Sequence, residues 1–268
     1  MLAFAANSIL CRAALARAGI DPASFTIVRI ISGAVMLSAI AAATGGGRAI
    51  GGSWSGAFAL FAYAAAFSFA DVSLPAGVGA LLLFGAVQAT MIVVGVMHGE
   101  RPTPLQWAGI ALALVGLAAL AAPGVSAPPL IGSALMLTAG AAWGAYSILG
   151  RRVASPLLAT AGNFLRAVPM TLALVLPAAA ASGRPIAGLA YAVLSGALAS
   201  GVGYAIWYSA LPGLSSAEGA SAQLSVPVIA ALSGTVFLAE PITLRLVLAS
   251  VAVLGGIAIV IVGRLRRA

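Results

Sequence analysis

The chain has 268 residues, of which 62% are hydrophobic and 7% charged, where a soluble domain carries roughly 25% charged residues. No soluble fold of this length hides so much apolar surface, so lipid must be its solvent. The net charge of +8 invites a nucleic-acid reading, but all thirteen basic residues are arginines standing singly or in pairs between apolar runs, with no basic stripe interleaved with aromatics, which argues against it.

Apolar runs alternate with short breaks rich in Pro, Gly and Arg. The sequence predicts helices at about 1–18, 22–43, 54–72, 75–97, 104–122, 130–150, 156–180, 186–210, 216–239 and 243–263. Runs such as 112–122 and 247–263 are apolar on every side, which suits helices in lipid and not the period-2 alternation of a membrane barrel. The pairs Asp21-Pro22, Thr103-Pro104 and Ser155-Pro156 place capping side chains before a proline, and Ser215-Ser216-Ala217-Glu218 fits a capping box before the ninth helix. Pro227 is expected to break the ninth helix in mid-span. No positively charged segment precedes the first apolar run, so no signal peptide is expected.

An internal repeat organises the chain. Residues 3–12, AFAANSILCR, lie over residues 142–151, AWGAYSILGR, at an offset of 139, and residues 74–100 lie over 214–240 at an offset of 140. Thr103 then falls on Thr243 and Gly116 on Gly256. Each half, 1–125 and 126–268, holds five expected spans. An odd number inverts the second half relative to the first, a design common among secondary transporters. The expected fold is thus an all-α integral membrane protein of ten transmembrane helices in two inverted five-helix repeats. With the N-terminus inside, Arg48, Arg101, Arg151, Arg152, Arg264, Arg266 and Arg267 are cytoplasmic and Arg12, Arg17, Arg184 and Arg245 are outside, which favours both termini in the cytoplasm. The numbered chain begins close to its repeat block, so the first helix is expected to be short or truncated.

Paired five-helix repeats, each with an acidic residue after its fourth helix (Gly99-Glu100-Arg101-Pro102 and Ala239-Glu240-Pro241), resemble the drug/metabolite transporter superfamily of the EamA type. The Trp143-Gly144-x-Tyr146 opening of the second half is similar to that family as well. The resemblance covers essentially the whole chain. It implies a transporter of small metabolites in a bacterial inner membrane, and it extends to aromatic amino-acid exporters of the YddG kind.

The residues offer a matching site. Tyr63 and Phe67 lie on the third helix, and Tyr204 and Trp207 on its repeat mate, the eighth; an offset of 140 puts Phe67 over Trp207. Trp143 lies on the sixth helix and Gln88 near the middle of the fourth. Tyr63, Phe67, Gln88, Trp143, Tyr204 and Trp207 are the expected lining of a central cavity, outside which the aliphatic fifth and tenth helices lie. Each has a plainer reading: a helix–helix hydrogen bond for Gln88 and for Gln223, and a packed or interfacial ring for the aromatics. Trp54, Trp107 and Tyr208 suit an interfacial belt. Arg29, an ionisable residue inside a span, is a functional candidate by default, with snorkelling to the interface from two turns into its helix as the plainer reading. Arg166, with Asn163 one turn before it, reads as a structural polar cluster or as a seat for a substrate carboxylate. Gly140 and Gly144 form a small-residue contact face, and Leu135, well round the helix from them, is expected to face lipid.

The carboxylates Asp71, Glu100, Glu218 and Glu240 fall at span ends and Asp21 in a loop. Facilitated diffusion or exchange is therefore expected in place of carboxylate-driven proton antiport, with Glu100 and Glu240 as structural or gate residues. With one cysteine (Cys11) and one histidine (His98), neither a disulfide nor a Cys/His metal site can form. No cofactor is expected, and the expected partners are a small-molecule substrate and the bilayer, with no nucleic acid, around a monomer. An intramembrane enzyme remains an alternative without an evident catalytic base, as do a channel, a scaffold, and a transporter of sugars, amines or drugs.

Overall fold

Long runs of Ala, Leu and Val can satisfy their backbone in lipid only as helices or closed barrels, and here they do so as helices. The computed structural model describes residues 1–44, 50–99, 101–122, 127–150, 153–181, 183, 185–210 and 222–265, and among these all regular structure is helical. The elements are α1 (Leu2–Arg12, continued by a π segment Ala13–Arg17), α2 (Pro22–Thr44), α3 (Trp54–Asp71), α4 (Ala76–Met97), α5 (Pro104–Ala121), α6 (Leu130–Gly150) and α7 (Pro156–Met170). A 3-10 segment Thr171–Leu174 leads into α8 (Val175–Ala180); α9 (Ile186–Leu194) runs through a π segment, Ser195–Val202, into α10 (Gly203–Ala210); α11 (Ser225–Leu238) and α12 (Leu244–Leu265) follow.

Among the described residues six helical stretches are long and apolar enough to cross a membrane: Pro22–Thr44, Ala76–Met97, Leu130–Gly150, Pro156–Ala180, Ile186–Trp207 and Leu244–Gly263. Pro104–Leu120 and Ser225–Leu238 are apolar but shorter. Five helical hydroxyls are satisfied locally: Ser32, Ser68, Thr90, Ser133 and Ser147 each donate to the carbonyl four residues earlier, which removes these unpaired donors from an apolar surround.

The caps follow the sequence at two of the three Xaa-Pro sites. Asp21 Oδ1 accepts from Ser24 N at 2.8 Å, and Thr103 forms a reciprocal capping box with Gln106. Ser155 makes no side-chain cap bond. The proposed box at Ser215–Glu218 lies outside the described residues, as do Glu100 and the arginines at 48, 151, 152, 184, 266 and 267. Helical residues 222–223 are separated from α11 by a turn at Leu224, and Pro227, four residues after Gln223, has no N–H to give the carbonyl of Gln223, so the helix is interrupted there as the sequence predicts. Pro169 stands inside α7 as well, next to its end and just before the 3-10 segment.

Helices α3 and α4 both pack on α6, α2 packs on α7 and on the Ser195–Val202 segment, and α5 and α12 pack most closely on one another. The contact of α6 with α4 is its glycine face: a Cβ on Gly140 would stand 2.6 Å from Ala86 Cβ, and one on Gly144 2.8 Å from Thr90 Cβ. Leu135 does not face lipid. It is half-buried, packed in part against the core, while Ala134, Leu137, Thr138 and Ala141 make up the exposed side of α6.

The α5–α12 pair has a two-fold pattern. A Cβ on Gly116 would meet Val253 N at 3.1 Å, and one on Gly256 would meet Ala113 N at 2.7 Å. Under the offset of 140 these contacts exchange, since Gly116 maps to Gly256 and Ala113 to Val253. Further out, Gly109 meets Ile259, and Gln106 meets Gly263. Rising numbers on α5 therefore meet falling numbers on α12, so these repeat mates run antiparallel. Their caps correspond as well: Gln106 N donates to Thr103 Oγ1 at 3.2 Å and Leu246 N to Thr243 Oγ1 at 3.1 Å.

Candidate functional site

Trp143, on α6 and half-buried, is the hub of an aromatic cluster. Its ring centroid lies 4.9 Å from Tyr63, 5.3 Å from Tyr146 in a stacked arrangement, 5.3 Å from Tyr204 and 6.5 Å from Phe4. Tyr63 also contacts Phe67 at 5.7 Å. Phe4 contacts Tyr204 at 5.6 Å and Trp207 at 6.1 Å. Phe164 meets Tyr204 at 6.0 Å. Tyr63, Phe67, Tyr146, Phe164 and Tyr204 are buried, whereas Phe4, Trp143 and Trp207 are half-exposed and form the accessible side of the cluster. Edge and offset packings of this kind add stabilisation beyond area burial.

Five of the six expected site residues, Tyr63, Phe67, Trp143, Tyr204 and Trp207, thus belong to one continuous ring network. Gln88 does not touch it through any ring or hydrogen bond among the described residues; it is half-buried on α4, next to Val87, whose carbonyl faces Gly144. Gln223 is half-buried just before α11. The aliphatic helices α5 and α12 contribute no ring to the cluster. Trp54 and Trp107, at the starts of α3 and α5, are exposed as a belt residue would be; the side chain of Tyr208 lies outside the described set.

One ring, Phe4, was missed, and Arg29 belongs to the cluster as a functional candidate would. Phe4 was readable from the repeat, because the 139 offset that aligns AFAANSILCR with AWGAYSILGR puts it directly over Trp143. Arg29 does not snorkel. It is 2% exposed, wedged between α3 and the Ser195–Val202 segment. Its Nη2 donates to Tyr63 Oη at 3.1 Å and its Nε to Ser200 Oγ at 3.4 Å. The guanidinium carbon stands 5.1 Å above the Tyr63 ring and 5.4 Å above Phe67. What buries it is the close approach of α2 to that segment at two glycines: a Cβ on Gly33 would come within 3.2 Å of Gly196 O.

Arg166 and Asn163 form a structural cluster. Arg166 Nη1 donates to Gly51 O at 2.7 Å and to Gly162 O at 3.1 Å. Asn163 Oδ1 accepts from Ser53 N at 2.8 Å, and its Nδ2 reaches Tyr146 Oη at 3.4 Å. Both pin the approach to α3 against α7. Gly52 takes φ +95°, and a side chain there would collide with Asn163.

At one end of the bundle, Arg12 Nε meets Glu240 Oε1 at 3.0 Å, and Arg12 Nη1 donates to Asp71 O and Val72 O. Asp71 closes α3 one turn beyond Phe67 on the same face and is 1% exposed. Among the described residues no cluster of His, Cys, Asp and Glu could hold a metal ion.

The profile of the EamA-like transporter family matches residues 1–122 and again 130–262. The chain belongs to the EamA-like transporter family. As a member of that family, part of the drug/metabolite transporter superfamily, it is a multi-pass membrane transporter of small molecules and not an enzyme. It is 55% identical to an uncharacterized protein of Pseudomonas aeruginosa, over 100% of this chain and 94% of that one. It is 30% identical to a probable terminal-alkyne amino-acid exporter of Streptantibioticus cattleyicolor, over 69% of this chain and 64% of the relative. It is 28% identical to an uncharacterized transporter of Archaeoglobus fulgidus, over 77% and 75%. A protein of known crystal structure superposes with a TM-score of 0.66 at 21% identity, over 97% of this chain and 96% of the other; this EamA chain shares its fold.

Proposed function

We propose that this EamA transporter exports small metabolites, neutral amino acids with aromatic or other apolar side chains, across a bacterial inner membrane by alternating access. The observation that carries the reading is the aromatic cluster around Trp143. Its rings come in repeat-mate pairs, Phe4 with Trp143 and Phe67 with Trp207, so the cluster lies where two related halves meet. Transporters built from inverted repeats place their substrate at that junction. Aromatic faces suit the apolar side chain of an amino acid and attract its ammonium group by about 0.5–2 kcal/mol. The likeness to a relative named as an amino-acid exporter supports the same substrate class.

The same reading takes the chain as ten transmembrane helices in two inverted halves, 1–125 and 126–268, with both termini in the cytoplasm and the monomer as the working unit. The antiparallel α5–α12 pair, whose contacts exchange under the 140 offset, supports the inversion. Gln88 is retained as a lining residue of the open pathway. The half-exposed rings Phe4, Trp143 and Trp207 mark where substrate enters the cluster.

The test is counterflow of labelled L-phenylalanine and L-leucine in proteoliposomes, for the native chain and for Tyr63→Ala, Gln88→Ala and Trp143→Ala variants checked for folding by size exclusion. We expect saturable exchange that falls at least tenfold in Trp143→Ala. Native-like exchange in all three variants overturns the site, and exchange confined to sugars or nucleotides overturns the substrate class.

A further inference from the structure

Arg29 is the largest side chain among the fully buried ones, and its hydrogen bonding is incomplete. Nε and Nη2 are used, on Ser200 and Tyr63, but Nη1 is buried with no partner. Among the described residues no carboxylate lies within ion-pair distance of it; Asp71, buried one turn beyond Phe67 with both oxygens unbonded, is the nearby carboxylate and does not reach it. Two ring faces, Tyr63 and Phe67, offset part of the desolvation of the charge. They leave a guanidinium in a low-dielectric surround with a donor edge unspent. A buried donor without an acceptor costs about 1–3 kcal/mol, more when it is charged, and a cation inside a membrane bundle without a direct ion pair is rare outside pathways and ligand sites.

We propose that the Nη1 edge of Arg29 receives the carboxylate of the transported molecule, so that the substrates are carboxylates bearing an apolar or aromatic group. The inference rests on the aromatic cluster being the substrate site. Tyr63 joins the two parts: its hydroxyl accepts from Arg29, and its ring lies 4.9 Å from Trp143. A carboxylate on Arg29 therefore places the rest of the molecule against the rings of Trp143 and Tyr204. A guanidinium presents donors in a fixed planar fork that matches a carboxylate and has no match in an amine or a neutral amide. Arg166, the other arginine within a span, is spent on the carbonyls of Gly51 and Gly162, so the two arginines divide into one that braces the fold and one left to bind.

The experiment uses the full chain, purified in nanodiscs, and reads the thermal shift with four probes at equal concentration: L-phenylalanine, L-phenylalaninamide, 3-phenylpropionate and 3-phenylpropionamide. A ligand that binds only the folded state raises the midpoint in proportion to its affinity. The expected result is stabilisation by the two carboxylates, with apparent affinities at least tenfold tighter than those of their amides. Arg29→Lys keeps the charge without the fork and should weaken both carboxylates at least tenfold. Arg29→Gln should level each acid with its amide. If Arg29→Gln does not fold, the acid–amide difference in the native chain still decides the matter. Equal shifts from acids and amides overturn the role of Arg29 and leave the aromatic site standing. No shift from any of the four overturns both.

Discussion

Arg12 and Glu240, 228 positions apart, form an ion pair at 3.0 Å that joins the end of α1 to the chain between α11 and α12. The other carboxylate oxygen of Glu240 accepts from Ala76 N at 2.8 Å, at the first turn of α4, where the helix dipole favours negative charge. Arg12 in turn ties down the carbonyls that end α3. Four helices are thus drawn together by two side chains, 19% and 14% exposed.

Because Glu240 serves both Arg12 and the α4 terminus, Arg12→Ala and Glu240→Ala should not add. Each alone is expected to cost about 1.5–3 kcal/mol, as for a hydrogen bond to a charged group in a shielded site, and the double variant less than the sum of the two by the shared Arg12–Glu240 bond, since the Arg12 bonds to the Asp71 and Val72 carbonyls survive in Glu240→Ala. Thermal unfolding in detergent of the four proteins measures this as a double-mutant cycle. Additive losses within about 0.5 kcal/mol would show that the two side chains act separately. In proteoliposomes, a pair that latches this end should also make Glu240→Gln exchange substrate at an altered rate.

Glu240 is delivered by a strained residue. Ala239 has φ 56° and ψ 31°, and among the described residues it is the sole non-glycine with positive φ. Its repeat mate, at an offset of 140, is Gly99, with φ +90°. A left-handed conformation costs an L-residue about 1–2 kcal/mol, so Ala239→Gly should stabilise the protein, by less than that figure because the unfolded chain gains freedom. Ala239→Val should destabilise it. The midpoint of thermal unfolding reads both, and a lower midpoint for the glycine variant contradicts the argument.

Most of the helix pattern was legible because each signal was local. Pro22, Thr103 and Pro156 begin helices where the sequence places them, and the aromatic hub was found because Trp143 stands out in a chain with only four tryptophans. The plainer reading of Arg29 and the lipid-facing reading of Leu135 fail for a common reason. The surroundings of both residues depend on how helices are rotated against one another, which a span's depth and periodicity do not give. Arg29 sits near the start of α2, but Gly33 and Gly196 let the Ser195–Val202 segment close over it. Leu135 is turned from the glycine face but is half-buried against the core. The π segment itself leaves no mark in composition.

The glycine face of α6 gives a packing prediction. A leucine at position 140 must displace the Leu83 carbonyl and Ala86 of α4, and overpacking of this kind costs about 1–3 kcal/mol. Leu137, on an exposed position of the same helix, is the control, and Leu137→Ala should change stability by about 0.5 kcal/mol or less. Equal shifts in melting temperature for Gly140→Leu and Leu137→Ala would mean that the glycines are not a special contact.

The inverted arrangement of the halves can be tested by cross-linking, since antiparallel and parallel pairings of α5 and α12 bring different ends together. A Cβ on Gly263 would lie 2.7 Å from Gln106 Cγ, and Gln106 Nε2 reaches Val260 O at 3.4 Å. With Cys11 replaced by Ser, the pair Gln106→Cys with Gly263→Cys should oxidise readily, because disulfides need Cβ atoms about 3.5–4.5 Å apart. Gln106→Cys with Val247→Cys, which joins the start of α5 to the start of α12, should not. Preferential oxidation of the second pair would align the repeat mates in parallel and remove the inversion. Reporter fusions at the two termini complete the test. The proposed ten crossings would put both on one side, and the proposed orientation makes that side the cytoplasm, so reporters on opposite sides would require an odd number of spans.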